Sequence, residues 1–243
     1  MIKMKIIKQN MNGNKSNEYR TILFQFELIG NGETLHFVMD DLCNLKGFLD
    51  VLDGLITENR DKEINILEEE IEKLKIKNAG NYCAWNFPCW DGLFREQLYK
   101  SFIISLYSIA EEYLKLFCEE LSIIDQFQFD WDNETGSTYE RVKKNLKKAD
   151  PPIPNDFLSF FQKLNLIRNQ VIHNSSMLPE NEKKRKRIMD FVSKRSDISI
   201  KSELSIEFDH TFCDQAYEEI QKIFLHFNEK IVEHFKMQQS KEY

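Results

Sequence analysis

Apolar residues along this chain recur mostly at three- and four-residue steps, the spacing of one face of an α-helix. From residue 40 onward Leu42, Leu45, Leu49 and Leu52 follow that spacing. Over 61–77 the residues Ile64, Leu67, Ile71 and Leu74 continue it inside a charged stretch. Such a short seam suits either a helical arm that meets another chain or one amphipathic helix packed on a bundle, and the second reading is the simpler. The widest apolar face lies in 93–121, where Leu98, Phe102, Leu106, Ile109, Tyr113, Leu116 and Phe117 predict a central helix. Glu112 falls between Ile109 and Leu116 on that wheel. A part-buried carboxylate in need of a partner is expected there, one that could steer a catalytic arginine. Further helices are predicted over 139–148 (Val142 and Leu146 inward), 156–176, 180–194 and 212–235. Asn155 or Asp156 can cap the second of these directly after the prolines at 151, 152 and 154.

Two stretches alternate instead. In 19–29, Ile22, Phe24, Phe26 and Leu28 share one side; Gly30-Asn31-Gly32 then signals a turn before 34–39, which predicts a β-hairpin. Residues 198–208 alternate as well and predict a short strand pair. Residues 78–90 break every period and gather Tyr82, Trp85, Phe87 and Trp90 around Gly80 and Pro88. A base-stacking platform would interleave such rings with basic residues, which are missing here, so a loop that plugs the end of the bundle is the preferred reading. The fold class is therefore mainly α, a helical bundle with a small β-hairpin near the N-terminus and a short strand pair near 198–208.

Composition sharpens this picture at a few points. Only 8 glycines and 5 prolines in 243 residues favour long helices, and 19 phenylalanines supply a substantial core. The net charge of −7 counts against a surface that grips nucleic acid everywhere, so any such contact needs a local basic patch. The run Lys183, Lys184, Arg185, Lys186, Arg187 is the candidate patch, RNA-binding through Lys183, Lys184, Arg185 and Arg187, against the plainer reading of a solvated helix face. Five cysteines with irregular spacing do not form a zinc framework, and Cys83 and Cys89 lie too far apart for a knuckle. No metal or other cofactor is expected, and Cys118 reads as a small core residue. With no apolar run long enough for a membrane and no signal peptide, a cytoplasmic setting is expected.

The stretch Leu166-Ile167-Arg168-Asn169-Gln170-Val171-Ile172-His173-Asn174 carries the candidate chemistry. Arginine can neutralise a phosphate, histidine can move a proton near neutral pH, and asparagine can orient either. On a helix over 156–176, Phe160, Leu164, Ile167 and Val171 form the core face. Asn165, Arg168, Asn169, His173 and Ser176 fall on a polar arc, with Ile172 among them. Asn169 and His173 are four apart and stack, whereas Arg168 and His173 are five apart and flank the arc. One helix does not easily focus both on one phosphate. A second copy across a two-fold axis would, although an arginine and a histidine on a polar arc are more often plain surface.

Arg168-Asn169, three intervening residues and then His173 resembles the motif of the HEPN superfamily. The surroundings are similar too: Ser105-Leu106-Tyr107-Ser108 leads to Glu112-Tyr113-Leu114 on one helix, a connecting segment follows, then the motif helix and a closing helix. The resemblance covers roughly residues 90–236. It divides the chain into an N-terminal extension (1–89), a HEPN-like helical domain (90–236) and a polar tail (237–243). It implies a bundle that forms a homodimer through the motif helices, with a composite active site. It also implies metal-independent RNA cleavage, in toxins or in defence against phage, with an antitoxin or a defence-complex protein as a further partner. Members paired with a nucleotidyltransferase antitoxin carry a tyrosine two residues after the histidine; this chain has Ser175 there. Some members cut nothing and serve as binding or scaffold modules.

The implied reaction is transesterification by the substrate's own 2′-hydroxyl. His173 would act as general base or acid. Arg168 would hold the scissile phosphate and stabilise the charge of the transition state. Asn169 would orient His173 or bond a phosphate oxygen, with Glu112 and Asn174 in support. DNA, which lacks the 2′-hydroxyl, should not be cut.

Overall fold

A computed structural model describes residues 33–75, 89–150, 152–173, 176–201 and 205–241. Among them the chain forms helices α1 (Glu33–Leu74), α2 (Glu96–Ile124), α3 (Thr138–Lys148), α4 (Ser159–His173) and α5 (Glu182–Val192), then strands β1 (Ile198–Ile200) and β2 (Ile206–Phe208), then α6 (His210–Lys241). A π-helical turn, Cys89–Arg95, leads into α2, and a single 3-10 turn, Asp156–Leu158, leads into α4. The mainly helical fold predicted from the periodicity is the one observed.

Helix α2 is central because it is apolar on most of its circumference. It buries Tyr99, Phe102, Ile103, Leu106, Tyr107, Ala110, Leu114, Phe117, Cys118 and Leu121, and packs against α1, α3, α4 and α6. Leu98, Ile109 and Tyr113 are only half-buried and Leu116 is exposed. The buried face is thus turned relative to the one drawn from sequence, toward Ile103, Tyr107 and Leu114. Phe117 anchors the centre against Phe224 and Phe227 of α6, with ring centroids 5.8 and 5.2 Å away.

Residues 34–39 are helical, not the second arm of a hairpin, and the first arm over 19–29 lies outside the described residues. Leu35, Val38, Met39 and Leu42 are all buried, and their three- and four-residue steps satisfy a helix packed on α2. The strand pattern asked for a partner strand; the helical pattern had a core to enter. A ladder of polar contacts fixes the direction of α1. Thr34 donates to Glu120, Tyr113 to Asp41 at 2.7 Å, Tyr99 to Asp53 at 2.8 Å, and Trp90 to Glu63, so α1 runs antiparallel to α2. Arg95 reinforces the middle rung, with its Nε 2.9 Å from Asp53 and its Nη2 2.6 Å from Thr57. Leu35, Val38, Leu42 and Leu49 belong to the same buried cluster as α2 and α6, so α1 shares one core with the helices after residue 90. Past the last rung the seam of Ile64, Leu67 and Ile71 is half-buried and Leu74 is exposed.

Side-chain knots hold the far elements. His234 of α6 and Asp125 beyond α2 form a hydrogen-bonded pair that is almost wholly buried, and Asp125 also accepts from the Asp150 N–H at 3.1 Å. Arg195 lies between the rings of Phe160, Phe191 and Phe212, 5.2–6.0 Å from their centres. Its guanidinium grips Asp197 through two bonds, 2.9 and 2.6 Å, and reaches Gln215 at 2.5 Å. The predicted strand pair forms: β1 and β2 are antiparallel, with Ile198 opposite Phe208 and Ile200 opposite Ile206.

Candidate functional site

Helix α4 buries Phe160, Phe161, Leu164 and Ile167, and Val171 is half-buried at its end. Phe161 lies flat on Tyr107 of α2, with centroids 4.7 Å apart and planes 3° apart. That stack builds a platform, and Arg168 lies over the other ring, its guanidinium carbon 5.4 Å from the Tyr107 centroid. A cation over an aromatic face is held by the ring quadrupole. Asn169 fixes the guanidinium further: its Oδ1 accepts from Arg168 Nη1 at 3.0 Å, while its Nδ2 donates to Asn165 Oδ1 at 3.1 Å. Asn169 therefore positions the arginine and not the histidine. Arg168 is half-buried, its Nε is buried with no hydrogen-bond partner, and no carboxylate pairs with it among the described residues.

The carboxylate near this platform is Glu111, one residue before the one expected. Glu112 is exposed, whereas half-buried Glu111 accepts from the Thr138 hydroxyl. A shift of one residue on a helix turns the side chain by about 100°, and the turned face of α2 carries Glu111 toward Tyr107. Burial and the charge of Glu111 push the Tyr107 hydroxyl well above its ordinary range, against the opposing effects of Thr138 and Arg168. Thr138 is set by a capping box at the start of α3, where Ser137 and Glu140 bond each other's backbone N–H. Tyr107 and Thr138 are thus the site residues that sequence reasoning missed. The signal was present: Ile103, Tyr107, Ala110 and Leu114 repeat at steps of four, three and four.

His173 is the last residue of α4 and is exposed, with no hydrogen-bond partner among the described residues. Arg168 and His173 lie about 140° apart around the axis. Arg168 faces α2, and one chain does not bring the two together on one face. Asn174 lies outside the described residues. Ser176 is not on the polar arc: the helix has ended, and Ser176 is buried at φ 68°. Of the basic run, Lys183, Lys184 and Arg187 are exposed, while Arg185 is half-buried and donates from Nε to the Pro179 carbonyl at 3.0 Å.

The chain matches no family model, no curated protein and no solved structure.

One group of side chains among the described residues could gather around a metal ion: Asp50, His210 and Asp214, with ligand atoms within 4.8 Å of one another. Both imidazole nitrogens already face carboxylates, Nε2 toward Asp50 and Nδ1 toward Asp214, each at 3.2 Å. Lys46 bridges the same two carboxylates, lying 3.0 Å from Asp214. The lysine supplies the positive charge here, and the cluster ties α1 to α6. Among the described residues no helix is long and apolar enough to cross a membrane.

Around Arg168 the arrangement has the chemistry to take an anion: a positioned guanidinium with no carboxylate partner among the described residues. A guanidinium presents donors in a rigid fork matched to phosphate oxygens, and a fixed one loses less entropy on binding.

Proposed function

We propose that the chain is a metal-independent endoribonuclease of HEPN type, acting in toxin or phage-defence biology and cleaving RNA through attack of the 2′-hydroxyl. The observation that carries this reading is the state of Arg168: oriented by Tyr107 and Asn169, half-buried, and without an anionic partner among the described residues. A half-buried cation left unpaired is costly unless a ligand neutralises it. Arg168 receives the scissile phosphate and stabilises the charge that develops on it. His173, exposed at the end of the same helix, takes or returns the proton. Asn169 positions the arginine. The angle between Arg168 and His173 is bridged by a second copy, whose His173 meets the Arg168 of the first across a two-fold axis.

The test uses purified full chain and end-labelled RNA. Cleavage should persist in EDTA, leave 2′,3′-cyclic phosphate ends and spare the 2′-deoxy analogue. His173→Ala should lower the rate by about 100-fold or more, the usual contribution of a general acid or base. Equal rates for wild type, Arg168→Ala and His173→Ala would overturn the assignment.

The divergence of Arg168 and His173 within one chain favours a second reading, a non-catalytic HEPN-like module that binds a partner in a larger complex. Its mark is a stable assembly in which neither residue affects RNA turnover.

A further inference from the structure

The residues from 182 to 195 carry seven basic side chains against two acidic ones, in a chain whose net charge is −7. The rest of the chain is therefore acidic on balance, although α3, with five basic side chains and one acidic, is a second basic segment. It also has a shape. A groove of about 450 Å³ runs between α4 and α5, lined by Gln162, Lys163 and Leu166 from α4 and by Arg187, Phe191 and Lys194 from α5 and the turn after it. Asp190 and Arg195 complete the lining.

The charges in the groove differ in how far they are already used. Arg195 is taken up by Asp197, Gln215 and three rings. Lys163, Arg187 and Lys194 are exposed and have no ion-pair partner among the described residues, and Asp190 offsets only one of them. Half-buried Leu166 and Phe191 give the groove an apolar floor. A positive wall over an apolar floor is the combination that takes a phosphate backbone with its bases turned inward, whatever their sequence.

Helical geometry gives the groove a direction. Residues from the first half of α4 and from the second half of α5 line it together, so those two halves lie against each other. On α4, Gln162, Leu166 and His173 fall within about 40° of one another on the wheel, so His173 lies on the groove side of the helix, about two turns beyond Leu166. On α5, Arg187 and Lys183 are four apart and fall within a similar arc, and Lys194 follows in the turn after the helix. The groove side of α4 thus leads toward the candidate histidine, and the side of α5 that carries Arg187 also carries Lys183. Arg185 does not belong to that side, since it turns away to Pro179.

We propose that the α4–α5 groove is a seat for single-stranded RNA, with Lys163, Arg187 and Lys194 on successive phosphates and the strand leaving past Lys183 toward His173. The proposal rests on the ribonuclease reading for the meaning of its exit, but binding itself does not require cleavage. A chain that is acidic on balance takes a polyanion at a local basic patch.

The experiment measures fluorescence anisotropy of a labelled twelve-nucleotide oligouridine across a salt series. The full chain carries His173→Ala to prevent turnover. In that background Lys163→Gln, Arg187→Gln and Lys194→Gln together should weaken binding about tenfold or more at low salt. They should also make the salt dependence shallower by about two, since each phosphate contact on a single strand contributes about 0.7 to the slope. A control triple, Lys147→Gln, Lys222→Gln and Lys236→Gln, removes the same charge from exposed positions on α3 and α6 and should leave the slope unchanged. Circular dichroism melts of all variants separate lost binding from lost folding.

The proposal fails if the parent does not bind the oligouridine, if both triples behave alike, or if the groove triple loses affinity only for phosphatidylserine vesicles. The two readings separate cleanly. Groove-dependent binding with no cleavage by wild type keeps the seat and removes the nuclease. Motif-dependent cleavage that survives the groove triple unchanged keeps the nuclease and removes the seat.

Discussion

Arg168 and Arg195 both lay a guanidinium over aromatic rings, and they differ in what else they touch. Arg195 contacts three rings, a bidentate carboxylate and an amide oxygen, and its side chain is 16% exposed. Arg168 contacts one ring and one amide oxygen and leaves its Nε without a partner. The first has its charge neutralised within the fold, and the second has no anionic partner among the described residues. Ring contact alone therefore does not tell a neutralised arginine from an unpaired one; the deciding quantity is the anion count around it.

If the difference is real, the two alanine substitutions should give opposite results. Arg168→Ala should lower RNA cleavage by about 100- to 1000-fold, as does loss of a group that stabilises transition-state charge, while urea denaturation shows little change in stability. Arg195→Ala should do the reverse. It leaves the Asp197 carboxylate buried and unpaired, which costs about 3–5 kcal/mol, and any residual folded protein should keep its cleavage rate. If Arg168→Ala proved the more destabilising of the two, the contrast would collapse.

Smaller changes grade the support around Arg168. Asn169→Ala removes one bond to a charged group, worth about 1.5–3 kcal/mol, so single-turnover cleavage should slow about tenfold or more. Addition of a phosphate-bearing ligand should then stabilise the variant less than wild type in a thermal shift. Tyr107→Phe should be the mildest, since it keeps the ring face under the guanidinium and loses only the hydroxyl. Tyr107→Leu removes the ring, a cation–π contact of about 0.5–2 kcal/mol, and should slow cleavage by up to about tenfold more than Tyr107→Phe does. Equal rates for the two Tyr107 variants would mean that the ring does not position the arginine.

Much of the scaffold was legible because helices announce themselves locally. The steps of three and four that predicted the central helix, the motif helix and the closing helix are satisfied within each segment. Phase was less legible than period. On α2 the drawn face took in Leu116 and left out Ile103, Tyr107 and Leu114. That turn of the wheel put Glu112 where Glu111 stands. Residues 34–39 fit both alternation and helical spacing, and only the presence of α2 decided between them. Arg168, Asn169 and His173 could be picked out as chemistry-bearing residues, but the Tyr107 platform could not be joined to them, because it comes from a helix some sixty residues earlier. The same holds for Arg195, whose partners come from α4, α5, α6 and the approach to β1. Contacts that gather several distant elements leave no spacing to read.

The end of α4 has a further consequence for how His173 behaves. Past the helix the Ser176 N–H reaches back to the Gln170 carbonyl at 2.9 Å, and the Ser176 carbonyl accepts from Ile206 at 2.8 Å. Met177 and Ser205 extend that contact as a bridge. The backbone on the far side of the histidine is therefore tied both to its own helix and to β2, although the imidazole itself has no hydrogen-bond partner among the described residues. Helix ends normally fray and exchange their amide hydrogens within the fastest class. Here the amides of Ser176 and Ile206 should exchange with deuterium as slowly as those inside the bundle, which would leave the candidate histidine between two anchored stretches of backbone.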